Sequence, residues 1–185
     1  PMIFANTLAY HNERIACESI QRTVRNYEGS IDHLILYGHP GKMDPLDSIA
    51  DKYARARYLF LASSAEVWLS MEDDMVVPPD TMVRLLAVLD GGADVAYGLY
   101  AWRHNLPNPD WSAHLRLDQP GFSLRRFPEM AAEGWGKVIE VAGLGFGCTA
   151  IRRRVLEMIQ IERRGAEGCD YYFALAAAAA GFVQR

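Results

Sequence analysis

Cysteine is scarce in this chain: Cys17, Cys148 and Cys169 are the three present in 185 residues. An odd number, wide spacing and the lack of any CxxC pair exclude a disulfide framework and give no zinc signature. A reducing compartment is the simplest setting, so the chain is expected to be cytoplasmic. Long hydrophobic runs are missing too. No uncharged apolar stretch reaches the roughly 18 residues that a membrane-spanning helix needs, and the opening residues do not read as a signal peptide. The run Phe173 to Phe182 is short and alanine-rich, which suits a buried helix. Peripheral contact with a membrane is left open. Excess basic charge is also absent: the formal net charge is −4, whereas nucleic-acid binding usually needs a basic surface. A diphosphate ligand stays compatible, provided a cation or a local basic pocket offsets its charge. With half the residues hydrophobic and 23% charged, intrinsic disorder is excluded as the default. The length suits one domain, and neither repeat nor linker divides it.

What is present is an alternation of strand and helix signals. Met2 to Leu8 reads as a buried strand, followed by a helical segment with Ile15, Ile20 and Val24 on one face and Asn12 as a candidate cap. Ile31 to Tyr37 is a second strand, halted by Gly38, Pro40 and Gly41. Asp47 to Ser64 is helical, and Val67 to Met71 is a third strand running into Glu72-Asp73-Asp74. Pro78-Pro79-Asp80 restarts a helix, with Asp80 at the cap, and Asp94 to Tyr100 forms the next strand. This order predicts a single-domain α/β fold, a mixed and mostly parallel sheet flanked by helices. From Arg103 to Gly136 no period is sustained, and four prolines and several aromatics occur, the character of a binding loop. Val138 to Ala142 and Cys148 to Ile151 read as strands, and Arg153 to Ile161 and Asp170 to Ala180 as helices.

The acidic triplet carries the chemistry. Three adjacent carboxylates at the end of an apolar strand repel one another unless a cation relieves them, and ligands of open α/β sheets bind at the carboxyl ends of strands. In an extended chain Glu72 and Asp74 point to one side, where two carboxylates suit a hard divalent cation, Mg2+ or Mn2+. A solvated acidic turn is the plain alternative.

The segment Leu69-Ser70-Met71-Glu72-Asp73-Asp74-Met75-Val76-Val77-Pro78 resembles the DxD motif of GT-A-fold glycosyltransferases, particularly the family-2-like group. Leu8 to Glu13 is similar to that family's first-strand segment, which receives the nucleotide base. Ala54-Arg55-Ala56 lies where the family often has Ala-Arg-Asn. Gly143 to Arg153 resembles its glycine-rich strand, and Gly168 to Leu175 its late Glu-Asp motif. The resemblance runs along nearly the whole chain and implies a GT-A-like, Rossmann-like fold. It assigns residues 1–102 to a nucleotide-binding half and 103–185 to an acceptor and sugar half.

The activity implied is transfer of a sugar from a UDP- or GDP-sugar to the hydroxyl of an unidentified acceptor. Asp74 and Glu72 would hold the metal, and Asp170 would be the catalytic base. Asn12, Glu13, Arg55, Asp73, Gly145 and Gly147 would bind the nucleotide-sugar. For Asn12, Glu13 and Asp170, helix capping is the competing role; for Arg55 it is an ordinary surface position. Trp102, Trp111 and Trp135 suit either sugar stacking or a core, and Arg152-Arg153-Arg154 reads as a solvated helix start. Glu72 and Cys169 depart from the family's usual aspartate and glutamate. The family's further histidine ligand has no counterpart up to Arg185, so either the C-terminal end is cut short or fewer protein ligands hold the metal. A nucleotidyltransferase is the alternative activity, although it predicts a glycine-rich, lysine-containing phosphate loop where Tyr10-His11-Asn12-Glu13-Arg14 stands. A non-catalytic nucleotide-sugar-binding module is another alternative, and a small core leaves homo-oligomerisation open.

Overall fold

The computed structural model describes residues 2–9, 14–37, 44–100, 110–114, 124–126 and 136–185. A five-stranded mixed sheet in the order β2-β1-β3-β7-β4 forms its centre. Its members are β1 (Ile3–Ala9), β2 (Ile31–Tyr37), β3 (Val67–Glu72), β4 (Val95–Tyr97) and β7 (Cys148–Arg152). β1 pairs in parallel with β2 and with β3. β7 lies antiparallel between β3 and β4, with Ser70 opposite Thr149 and Ala96 opposite Ala150. The single-domain α/β architecture expected from the alternation is therefore present, with one reversed strand in an otherwise unidirectional sheet.

Side-chain alternation along β3 shows why the sheet is covered on both faces. Trp68 joins a core with Phe4, Tyr53, Phe60, Val155 and Phe173. Val67, Leu69 and Met71 join the other, with Ile3, Ile20, Met82, Leu85 and Leu89. Helices α2 (Pro45–Ala62), α4 (Arg153–Met158) and α5 (Cys169–Ala179) thus cover one face, and α1 (Arg14–Arg25) and α3 (Thr81–Asp90) the other. In α2 the residues Ala50, Tyr53, Ala56 and Phe60 are buried at helical spacing, and the Asp44 carboxylate caps the helix by accepting from Leu46 N at 2.8 Å.

Several local expectations are corrected. Val138 to Ala142 does not form a strand; Val138 is exposed, and Val141 N instead donates to Gln184 O at 3.0 Å. The helix from Arg153 ends at Met158 because Ile159 turns extended, and Ile159 and Ile161 are both buried. Asp80 does stand at the N-cap of α3 as expected, but its side chain makes no capping hydrogen bond; its carboxylate pairs with Arg84 at 2.7 Å instead. Within the aperiodic region, β5 (Asp110–His114) and β6 (Leu124–Arg126) form a separate two-stranded antiparallel sheet. At the far edge Val183 to Arg185 runs beside β4, exchanging backbone hydrogen bonds with Asp94, Val95 and Tyr97.

Candidate functional site

The acidic triplet closes β3 at the same end of the sheet as the glycine run before β7. Glu72 is the last residue of the strand. Its carbonyl accepts from Met75 N at 3.1 Å, and its own amide donates to Gly147 O at 2.9 Å. Asp73 and Asp74 therefore lie in a turn rather than an extended chain, and the expected same-side placement of Glu72 and Asp74 by strand alternation is replaced by this turn. Asp73 is only 2% exposed, so the triplet is not a solvated loop. Its charge is felt by Cys17 on α1 and by Lys52 on α2.

Glu72 is held between α2 and the glycine run. Tyr53 donates its hydroxyl to Glu72 Oε1 at 2.7 Å. Burial raises the Glu72 carboxyl to about 7; the Tyr53 hydrogen bond opposes that rise, and the charges of Asp74, Asp170 and Asp73 add to it. Four acidic groups from two distant chain segments thus converge electrostatically. Asp170, in the first turn of α5, accepts from Tyr171 N at 3.0 Å. Its carboxyl is also raised, first by burial, while backbone amides oppose and Glu167 adds to the rise. The helix N-cap is Gly168, so Asp170 is not the cap.

The glycine run supplies a floor between these carboxylates. Leu144 and Phe146 are both buried, in separate clusters, and Phe146 packs edge-on against Tyr53, Trp68 and Phe173 at centroid distances of 4.9, 5.6 and 5.1 Å. That aromatic anchor fixes Gly145 and Gly147, whose bare Cα atoms face Tyr100. A Cβ on Gly147 would stand 3.2 Å from Tyr100 Cζ and 3.3 Å from Glu72 Oε2. A Cβ on Gly145 would meet the Tyr100 hydroxyl and stand 3.1 Å from Asp170 Oδ2. Burial, followed by Glu72, Asp170 and Asp74, drives the Tyr100 phenol well above its ordinary range, so it stays protonated. Cys169 is likewise inert at neutral pH, its thiol raised to about 12 mainly by burial.

Of the residues expected from the sequence, Glu72, Asp73, Asp74, Gly145, Gly147 and Asp170 are thus gathered at one sheet end. Arg55 is exposed on α2. Asn12 and Glu13 lie outside the described residues, as do Trp102 and Trp135. Lys52, Tyr53 and Tyr100 are neighbours the sequence reading missed. Tyr53 has the helical spacing of a core residue, and nothing in the sequence around Tyr100 links it to residues more than forty positions away.

Among the described residues no three His, Cys, Asp or Glu side chains are grouped closely enough to hold a metal ion unaided. The donor set still fits one kind of ion. Carboxylate oxygens are hard donors, and Mg2+ commonly takes one or two of them, with water and substrate phosphates completing the shell. These carboxylates could hold such a cation only with water or another ligand completing its shell, not as a ready-made protein cage.

No family model matches the sequence, and comparison with curated proteins finds no match. Among solved structures the fold is similar to that of A197 from STIV, at TM-score 0.60 and 21% identity over 97% of this chain and 79% of that one. Looser similarity, at TM-score 0.48 and 9% identity, is found to a 4-diphosphocytidyl-2C-methyl-D-erythritol synthase, covering 97% of this chain and 84% of that one. The bifunctional IspDF from Campylobacter jejuni overlaps at TM-score 0.46 and 12% identity, over all of this chain and 49% of that one. At these identities the likeness concerns the fold. No helix among the described residues is long and apolar enough to cross a membrane. The chain is an α/β protein whose acidic turn, glycine floor and Asp170 share one end of a mixed sheet.

Proposed function

We propose that this chain is a transferase acting on a nucleotide-linked substrate, and that it moves a sugar from a nucleotide-diphosphate sugar to an acceptor hydroxyl. The observation that carries the reading is the convergence of Glu72, Asp74 and Asp170 across the floor of Gly145 and Gly147. Asp74 and Glu72 would hold Mn2+ or Mg2+, which would offset the negative charge of the departing diphosphate. Asp73, with Asn12, Glu13 and Arg55, is assigned to the nucleotide and its ribose. Asp170 takes the proton from the acceptor hydroxyl. The acceptor oxygen then forms its bond to the anomeric carbon while the bond from that carbon to phosphate oxygen breaks, and the diphosphate leaves with the electron pair. The pKa of Asp170, raised mainly by burial, makes its carboxylate a stronger base than an ordinary one.

Nucleotidyl transfer is the second reading, favoured by Lys52. It stands within the field of Asp73, so the acidic turn has a lysine beside it even without a lysine-containing loop after β1. One assay separates the two. The protein is incubated with Mn2+ and a panel of nucleotide-diphosphate sugars, and in parallel with nucleoside triphosphates plus a mixture of sugar and polyol phosphates. Release of nucleoside diphosphate is the expected result. Release of pyrophosphate instead would transfer the assignment to the second reading, and neither product would overturn both.

A further inference from the structure

Side chains alternate along a strand, so Trp68, Ser70 and Glu72 share one face of β3, and all three meet Tyr53 of α2. Trp68 packs edge-on against the Tyr53 ring with centroids 6.0 Å apart, and Phe146 does so at 4.9 Å. Ser70 Oγ stands 3.5 Å from the Tyr53 oxygen. The Tyr53 hydroxyl itself donates to Glu72 Oε1 at 2.7 Å. Tyr53 is 1% exposed, so this donor is locked by its ring and cannot follow a moving carboxylate. Glu72, by contrast, is a long, rotatable side chain on the half-buried last residue of the strand. The bond turns Oε1 toward the aromatic core and leaves Oε2 on the side of Gly147.

We propose that Tyr53 is a positioning residue that sets which cation the site accepts: by holding Oε1 it makes Glu72 a one-oxygen ligand, suited to Mg2+ or Mn2+ and poorly suited to Ca2+. This rests on the transferase reading above, in which Glu72 and Asp74 hold the cation. Mg2+ demands a compact octahedral shell and is held by one or two carboxylates, with waters and phosphates supplying the rest. Mn2+ shares that octahedral preference for oxygen. Ca2+ is larger, takes about six to eight oxygens, and readily uses both oxygens of one carboxylate. Phenylalanine at position 53 would keep the contacts with Trp68 and Phe146 but free Oε1 to serve the larger ion. Aspartate at position 72 would act from the other partner. Its arm is one methylene shorter, which draws the carboxylate away from the hydroxyl and leaves the aromatic core untouched.

Calorimetric titration of UDP, GDP, CDP and ADP, in equal concentrations of Mn2+ or Ca2+, reads the preference as a ratio of affinities. Wild type is compared with Tyr53→Phe and Glu72→Asp. Wild type is expected to bind one nucleotide about tenfold or more tighter with Mn2+ than with Ca2+. Tyr53→Phe is expected to lose about tenfold with Mn2+ and to stay within about threefold with Ca2+, so that the ratio collapses. Glu72→Asp should narrow the ratio likewise, and it decides the matter if Tyr53→Phe does not fold. A loss shared equally by both ions would make Tyr53 a structural residue only and overturn the inference, as would an unchanged ratio. Wild type that binds a nucleotide equally well with either ion would overturn this inference alone and leave the transferase reading standing. No nucleotide bound with either ion would overturn both.

Discussion

Glu72 stands where two demands conflict. Packed under Tyr53 and facing Asp74 and Asp170, it binds its proton up to about pH 7, whereas an unfolded glutamate releases it near 4.3. Between those values the folded chain holds a proton that the unfolded chain does not. Stability is therefore lost as pH rises from about 4.3 through 7, and the loss is then constant. Glu72→Gln, which can still accept from Tyr53, is expected to stabilise the protein by about 1–3 kcal/mol at pH 8 and by little at pH 4. Urea unfolding at the two pH values measures this, and an equal effect at both would contradict it. The acidic triplet stood out in the sequence as three adjacent carboxylates after an apolar strand, but a solvated acidic turn was the plain alternative until the burial of Asp73 spoke against it. Tyr53 and Lys52 did not stand out, since on a helix a buried tyrosine beside a half-buried lysine reads as core and rim. Tyr100 needed the fold, because only the pairing of β4 with β7 brings it over Gly145 and Gly147.

Among the elements, the arginine triplet at the junction of β7 and α4 illustrates how composition misleads. Arg152-Arg153-Arg154 reads as a solvated helix start, yet it ties other helices down. Arg152 donates to Leu89 O and Ala93 O at the end of α3. Arg153, its side chain 18% exposed, reaches Phe60 O, Leu61 O, Ser63 O and Ala65 O and stacks 4.7 Å above the Phe60 ring. Phe60 O, Leu61 O and Ser63 O lie at the end of α2, where helix carbonyls lose their in-helix partners, Phe60 O also accepts from Ser63, and a guanidinium fork serves several carbonyls at once. Arg154 pairs with the buried Asp94. Arg153→Ala is expected to cost about 2–4 kcal/mol, and Arg153→Lys most of that, because a single ammonium cannot span the set. Thermal or urea unfolding checks both, and a loss below about 0.5 kcal/mol for alanine would contradict the capping role. The reversed direction of β7 was equally hidden: apolar periodicity marks a strand but not which way it pairs, and its partner β3 lies some eighty residues earlier.

For the molecule as a whole, the alternation of strands and helices announced the α/β class because the first three strands follow it closely, and the sheet indeed carries helices on both faces. What it did not announce was how the ends meet. Gln184, 3% exposed, accepts from Tyr97 and donates to Ala142 O and Ala174 O. It thereby latches β4, the approach to the glycine run and α5 into one body around the site. A polar residue near the end of a sequence gives no hint of such a role. The site's purpose rests on the claim that its carboxylates take a cation together with a nucleotide diphosphate. The most direct measurement is calorimetric titration of UDP, GDP, CDP and ADP into the protein, with and without Mn2+, in wild type and in Asp74→Asn. One nucleotide is expected to bind only when Mn2+ is present, and Asp74→Asn to weaken this binding by about a hundredfold while the fold is kept. Binding that is indifferent to Mn2+ and to Asp74, or no binding at all, would contradict that claim.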